Sequence, residues 1–368
     1  MAALMIGIDF SKTDVQISLW NEEKTCAEIY QFCDNSDALI DMETYNKIGN
    51  EGIGEYLKEV LSLIQNRYGG TSITKIGITG ERMTERKKEQ LTTVMQSIGY
   101  KKEQLFFSTH ADAVLWYEIY GGASKGASMT LDFDGQGMLA YFVQLGNEIL
   151  KRPYYVETID YSNSMQGSLD VILEEKEQQK RFAELLERAI AKKTIARLYV
   201  TGNFIEHPEI TNILSGYIGG GRRIFTGRAL YCLGVCYHAV KEKFPKYVIS
   251  DGQIFHHVFL QAYQNGELGY VPLLKAGTTL FNAHMIIQVI LDDTKELLFR
   301  IENLRNGEKI NCTFRPEEFY VRENKTLRLE IELQFLEYET LILKVRDVGF
   351  GEIRLATYRV WEQIIRLS

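Results

Sequence analysis

The sequence predicts an α/β chain of two mirrored lobes followed by an all-β sandwich. Three observations predict it. A hairpin with an aspartate at its bend occurs twice, as MIGIDFSKTDVQISLW around Asp9 and as MTLDFDGQGMLAYFV around Asp132. Each is followed, at nearly the same distance, by a strand ending in Thr-Gly: TKIGITG at Thr79-Gly80 and ARLYVTG at Thr201-Gly202. From about residue 252, helical periodicity gives way to short strands separated by polar turns. Two units of one plan imply an internal duplication whose acidic bends face each other across a cleft.

The elements follow in order. After the Asp9 hairpin, IGEYLKEVLSLIQ (Ile53 to Gln65) repeats apolar residues at helical spacing. Ile73 to Thr79 is a strand, Thr84 to Ser97 a charged amphipathic helix, and LFFST a short strand ending at Thr109. HADAVLWYEIY closes the first lobe, residues 1–125, as a helix from about Ala111. The second lobe, 126–243, repeats the plan. The Asp132 hairpin leads to a strand near Pro153 to Ile159 and a helix from about Leu169 to Ala191. Leu198 to Thr201 is again a strand, and the helix from Gly227 to Lys243 matches the one at Ala111. Residues 244–251 read as a linker, with Pro245 and Gly252 as punctuation. The domain at 252–368 reads as FHHVFLQAY, LGYVPLL, HMIIQVIL, LLFRIEN, KINCTF, LRLEIELQF, TLILKVRD and GEIRLATYRV.

Composition narrows the function. A net charge of −7 over 368 residues argues against a nucleic-acid binder. No apolar run approaches the roughly 20 residues that cross a bilayer. The N-terminus enters a strand with no basic leader, and the five cysteines lack framework spacing. A cytoplasmic protein with free thiols is the expectation. Cys232 and Cys236 lie on one apolar helix and read as core. His256 and His257 adjoin on a strand and so point to opposite faces, which is poor metal geometry. Gly219-Gly220-Gly221-Arg222-Arg223 reads as a hairpin with a basic tip, and no Ser/His/Asp, Cys/His or Walker A arrangement is present.

Two acidic hairpins, a Gly-bearing strand end and a pair of matching helices, HADAVLWY and GRALYCLG, resemble the actin/Hsp70/sugar-kinase ATPase superfamily, with its duplicated ribonuclease-H-like lobes. LGYVPLLKAGTTLFNA with MIIQVILDDTKELLFRIENLRNGEKI resembles the opening of the Hsp70 substrate-binding β domain, and LRLEIELQFLEYETLILKVRDVGFGEIR its closing strands. The resemblance implies a divergent, truncated Hsp70-like protein. The segments between motifs are too short for the large outer subdomains, and the sequence at hand contains no helical lid.

By the same resemblance, Asp9 and Asp132 would hold Mg²⁺ through water, with ATP or ADP cradled by Ser11, Lys12, Thr13, Asp134, Gly135, Gly137, Gly202 and Asn203. Asp112 matches the water-orienting residue in the actin register and Thr109 in the Hsp70 register, and both registers stay open. The loops depart from the pattern: no glycine follows Asp9, and Asp134 replaces a glycine. A carboxylate about 4 Å from a phosphate oxygen repels it by roughly 1 kcal/mol in water and more in a cleft. Any activity would be ATP hydrolysis, and the altered loops favour its absence. The β domain would bind a protein or extended peptide over walls drawn from Tyr263, Leu268, Tyr270, Leu291, Leu297 and Phe299. The alternative is a non-catalytic scaffold or regulatory protein that binds one dedicated partner.

Overall fold

The apolar stretch LMIGIDF makes β1 (Leu4–Phe10), and the polar bend after it returns the chain as β2 (Asp14–Asn21) in antiparallel register, Ile8 opposite Ile17 and Asp9 opposite Gln16. The computed structural model describes residues 3–10, 14–31, 38–81, 83–121, 126–133, 137–147, 152–164, 174, 176–191, 194–202, 207–216, 222–240, 248–291, 296–316 and 325–367. It is a mixed α/β chain in two compact units, Met1–Leu145 with Tyr154–Pro245, and Gly146–Pro153 with Lys246–Ser368.

In the first unit, β3 (Cys26–Ile29) and β4 (Ala38–Asp41) both pair with β2. After α1 (Met42–Arg67), β5 (Ile73–Gly80) lies parallel to β1 with Thr79 beside Asp9. Thr84 caps α2 (Glu85–Ser97), its side chain accepting from the Lys87 N–H. β6 (Leu105–Thr109) adds parallel to β5 and runs straight into α3 (His110–Tyr120). The chain then repeats the plan. β7 (Ala127–Phe133), β8 (Met138–Gln144) and β9 (Tyr154–Asp160) form an antiparallel meander. α4 (Lys176–Ala191) leads to β10 (Arg197–Gly202), parallel to β7. α5 (Pro208–Ser215) leads to β11 (Arg223–Thr226), parallel to β10, and α6 (Leu230–Val240) ends the repeat. The strand orders β3-β2-β1-β5-β6 and β9-β8-β7-β10-β11 therefore match in both sequence and direction.

The two closing helices tie the halves together. α6 lies on β1 and β5 of the first sheet, and α3 reaches β8 and β9 of the second. Small residues permit the close approach: a Cβ on Gly7 would lie 2.2 Å from the Cys232 carbonyl oxygen, and one on Gly234 1.9 Å from that of Ala113. Buried Glu118 on α3 meets the Arg197 guanidinium on β10 at 3.2 Å. Ile6, Ile8, Ile17, Leu57, Leu61, Ile76 and Ile78 fill the core behind the first sheet.

Among its described residues the second unit is mostly strand, with one 3-10 turn at Leu280–Asn282. β12 (Val248–Ile249) precedes two antiparallel sheets. One has the order β14-β13-β16-β17, from β13 (His256–Gln264), β14 (Glu267–Leu274), β16 (Leu297–Asn303) and β17 (Lys309–Phe314). The other has the order β15-β18-β19-β20, from β15 (His284–Leu291), β18 (Leu327–Glu337), β19 (Thr340–Asp347) and β20 (Val360–Arg366). Period-two alternation turns one face of each sheet into a common core, with Val258, Leu260, Phe299 and Ile301 from one and Leu329, Ile331, Leu333 and Leu343 from the other.

Several expectations shift. The first long helix starts at Met42, well before Ile53, and the fourth at Lys176, the described part of a segment expected from Leu169. The last strand is Val360–Arg366 and not GEIRLATYRV. Buried Asp347 holds that segment as a loop: it accepts from the Gly349 N–H and from both the N–H and hydroxyl of Thr357. Gly349, at φ 62°, leaves room for the Ala356 and Arg354 backbones, which a Cβ would meet at 2.5 Å.

Candidate functional site

Asp9, next to last in β1, lies on the same face as Gly7, the face that meets α6, and is completely buried. β6 passes directly into α3, so His110 opens that helix beside it. The His110 Nε2 stands 2.7 Å from Asp9 Oδ1, at hydrogen-bonding distance. Tyr231 in the first turn of α6 stacks on His110, with ring centroids 3.7 Å apart and planes 5° from parallel. Its hydroxyl donates to Asp132 Oδ2 at 2.6 Å. Asp132 lies beside Thr201 in β10. The two acidic bends are thus joined by an unbroken chain, Asp9–His110–Tyr231–Asp132. Burial, and then the charge of Asp132, pushes the Tyr231 phenol well above its ordinary pKa, so it stays protonated and keeps donating.

Around this chain the polar groups are incompletely bonded. Gln16 and Thr79, the register neighbours of Asp9, each bury an oxygen without a hydrogen-bond partner, and His110 buries Nδ1 in the same state. Behind it, burial pushes the thiols of Cys232 and Cys236 up, the latter to about 12, so both are inert neutral packing groups.

The expected site residues separate into groups. Thr109 is the N-cap of α3, accepting from the Asp112 N–H at 3.2 Å, which leaves both residues in the turn that carries His110. Gly202 ends β10 at φ 100°, and a Cβ there would lie 2.1 Å from the Phe133 carbonyl oxygen, so only glycine fits. Gly137 packs on Ser162, whose Oγ would stand 2.0 Å from an added Cβ. Ser11, Lys12, Thr13, Asp134, Gly135 and Asn203 lie outside the described residues. In the second unit, Tyr263, Leu268 and Tyr270 are exposed on the outer face of the β14-β13 pair. Leu291, Leu297 and Phe299 are buried instead, turned by alternation into the core between the sheets. Tyr231 carries no motif that marks it, and its role follows only from its helix lying across the first sheet.

One oxygen of each aspartate already hydrogen-bonds a protein side chain, His110 Nε2 for Asp9 and the Tyr231 hydroxyl for Asp132. The stacked rings of His110 and Tyr231 link the two carboxylates. Among the described residues, no group of three or more His, Cys, Asp or Glu is arranged to hold a metal. Nor is any described helix long and apolar enough to cross a membrane.

Residues 22–251 match the model of a family of unknown function, DUF5716 C-terminal, and residues 253–367 that of a domain of unknown function, DUF8552. None of the curated proteins matches the chain in sequence. Among solved structures, an inorganic polyphosphate/ATP-glucomannokinase from Arthrobacter sp. strain KM is 13% identical with a TM-score of 0.42, covering 65% of this chain and 98% of its own. A Ppx/GppA family member from Aquifex aeolicus is 19% identical with a TM-score of 0.36, covering 55% and 67%. The activator of 2-hydroxyisocaproyl-CoA dehydratase from Clostridium difficile, with bound ADPNP, is 10% identical with a TM-score of 0.36, covering 64% and 94%.

Proposed function

The chain belongs to the DUF5716 C-terminal family, and we propose that it is a non-hydrolytic binding protein: a duplicated ribonuclease-H-like frame of the actin/Hsp70 kind carrying a β-sandwich that holds a protein or extended peptide. The observation that carries this reading is the Asp9–His110–Tyr231–Asp132 chain. It engages with internal hydrogen-bond partners the carboxylates that a metal-dependent ATPase would turn towards its cation. The repeated sheet order supports the duplicated frame, and the shared core of the two β-sheets supports the sandwich. Tyr263 opposite Leu268, and Tyr270 under the Arg300 guanidinium at 3.6 Å, supply an aromatic and cationic face of the kind that anchors binding surfaces.

Titration calorimetry with ATP and Mg²⁺ tests the first half. No heat at millimolar nucleotide is the expected result, and saturable binding that Asp9→Ala abolishes would overturn it. A fluorescent apolar peptide tests the second half: Tyr263→Glu with Leu268→Glu should weaken its binding, on a surface where neither residue supports the core. Tyr231→Phe probes the joint directly. It removes the Tyr231 hydroxyl from Asp132 and should lower unfolding stability by about 1–3 kcal/mol, read by urea denaturation.

A second reading, a nucleotide-gated chaperone, has its own support. It rests on the buried unbonded groups of Gln16 and Thr79, the register neighbours of Asp9, on the unbonded Nδ1 of His110, and on the glycine kept at 202. The calorimetric titration separates the two readings.

A further inference from the structure

The second unit leaves one sheet edge without the devices that keep strand edges from pairing. β15 ends its sheet and, among the described residues, has β18 as its one strand partner. Its eight residues, HMIIQVIL, hold unbroken register from His284 opposite Gln334 to Leu291 opposite Leu327. The strand contains no Lys, Arg, Asp, Glu, Pro or Gly, the residues with which sheets guard their margins. The other edges are guarded: β14 carries Glu267 and Pro272, β17 carries Lys309, and β20 carries Glu362 and Arg366. Ile286 and Ile290 stand more than half exposed on the outer face, at 52% and 55%. On the inner face Met285, Ile287 and Val289 are only partly buried, although their partners Leu333, Ile331 and Leu329 on β18 are fully buried. Apolar surface is therefore left open along both faces of this one strand.

The pattern also indicates what covers it. Read outward from Gln288, the strand is alike in both directions: Ile287 and Val289, then Ile286 and Ile290, then Met285 and Leu291. An antiparallel copy centred on Gln288 sets each of these residues against its match, with Gln288 facing its counterpart on the axis. Directly opposed residues of antiparallel strands share a face, so the inner row seals the inner row and the isoleucines meet on the outer face. We propose that β15 is a homodimerisation edge, through which two copies of this chain join their sheets across a twofold axis. Such an interface is isologous and closes on itself. An extended client peptide would need one apolar row, and nothing in its binding would require a strand that reads alike both ways. The proposal does not depend on the reading of the Asp9 site.

Sedimentation velocity on the full chain, from low to high micromolar concentration, tests it. The expected result is a reversible dimer. Gln288 is exposed and its amide reaches Glu330 at 3.4 Å, so Gln288→Lys leaves the fold intact, as circular dichroism will verify. In the dimer it opposes two ammonium groups on the axis and should raise the dissociation constant about tenfold or more. Opposed residues in antiparallel strands have Cα atoms roughly 4.5–5.5 Å apart, within disulfide reach, so oxidised Gln288→Cys should lock into a covalent dimer. Ile286→Cys, which faces Ile290, should not. A monomer at every concentration, or a dimer that Gln288→Lys leaves untouched, would overturn the proposal. A dimer weakened by lysine but never locked by cysteine would overturn the pairing centred on Gln288.

Discussion

At the scale of single residues, the acidic bends owe their state to two rings. His110 and Tyr231 each hydrogen-bond a carboxylate and stack face to face on each other. Gly202 is as constrained as either. Gly202→Ala would force a methyl group into the Phe133 backbone at a positive φ, and should cost more than about 2 kcal/mol in urea unfolding. His238 sets a pH dependence. Burial against Trp116 and Phe106 lowers its pKa from 6.5 to about 3, so the folded protein keeps it neutral while the unfolded chain protonates below 6.5. The unfolded state then binds more protons, and stability falls as pH drops from 6.5 towards 3. His238→Phe keeps the stacking and removes the titration. Its stability relative to wild type should therefore rise steadily over that range and stay constant above it, as measured by denaturation at stepped pH.

Among the elements, the crossing of α3 and α6 has the least tolerance. With no room for a Cβ between Gly234 and the Ala113 carbonyl, Gly234→Val must separate the helices. Thermal unfolding should show a loss of several degrees or failure to fold, whereas Thr84→Ala, which removes only the cap of α2, should cost about 1 kcal/mol. The elements also show what periodicity can report. The hairpins at Asp9 and Asp132 and the helix α2 were legible because alternation and helical periodicity are local signals. GEIRLATYRV alternates like a strand yet forms a loop, because the Asp347 carboxylate offers Gly349 and Thr357 a closer partner than a neighbouring strand could. Alternation cannot register that competition. It likewise marked Leu291, Leu297 and Phe299 as apolar without telling the inner face from the outer.

For the whole molecule, the core of the strand-rich unit is drawn, among the described residues, from 254–367. A fragment beginning at Lys246 should therefore unfold in one cooperative transition with a β-type circular dichroism spectrum. A non-cooperative melt would show that this core needs the preceding chain.

By itself the sequence determined the local plan: two acid-bearing hairpins, each followed by a Thr-Gly strand end, then a long series of short strands. Those features depend on residues close together in the chain, where backbone preference and side-chain period decide. The joint between Asp9 and Asp132 was decided only by the tertiary structure. His110 lies 101 positions from Asp9 and Tyr231 99 from Asp132, and what brings them together is the packing of α6 across β1 and β5, allowed by glycines that leave no other trace in the local pattern.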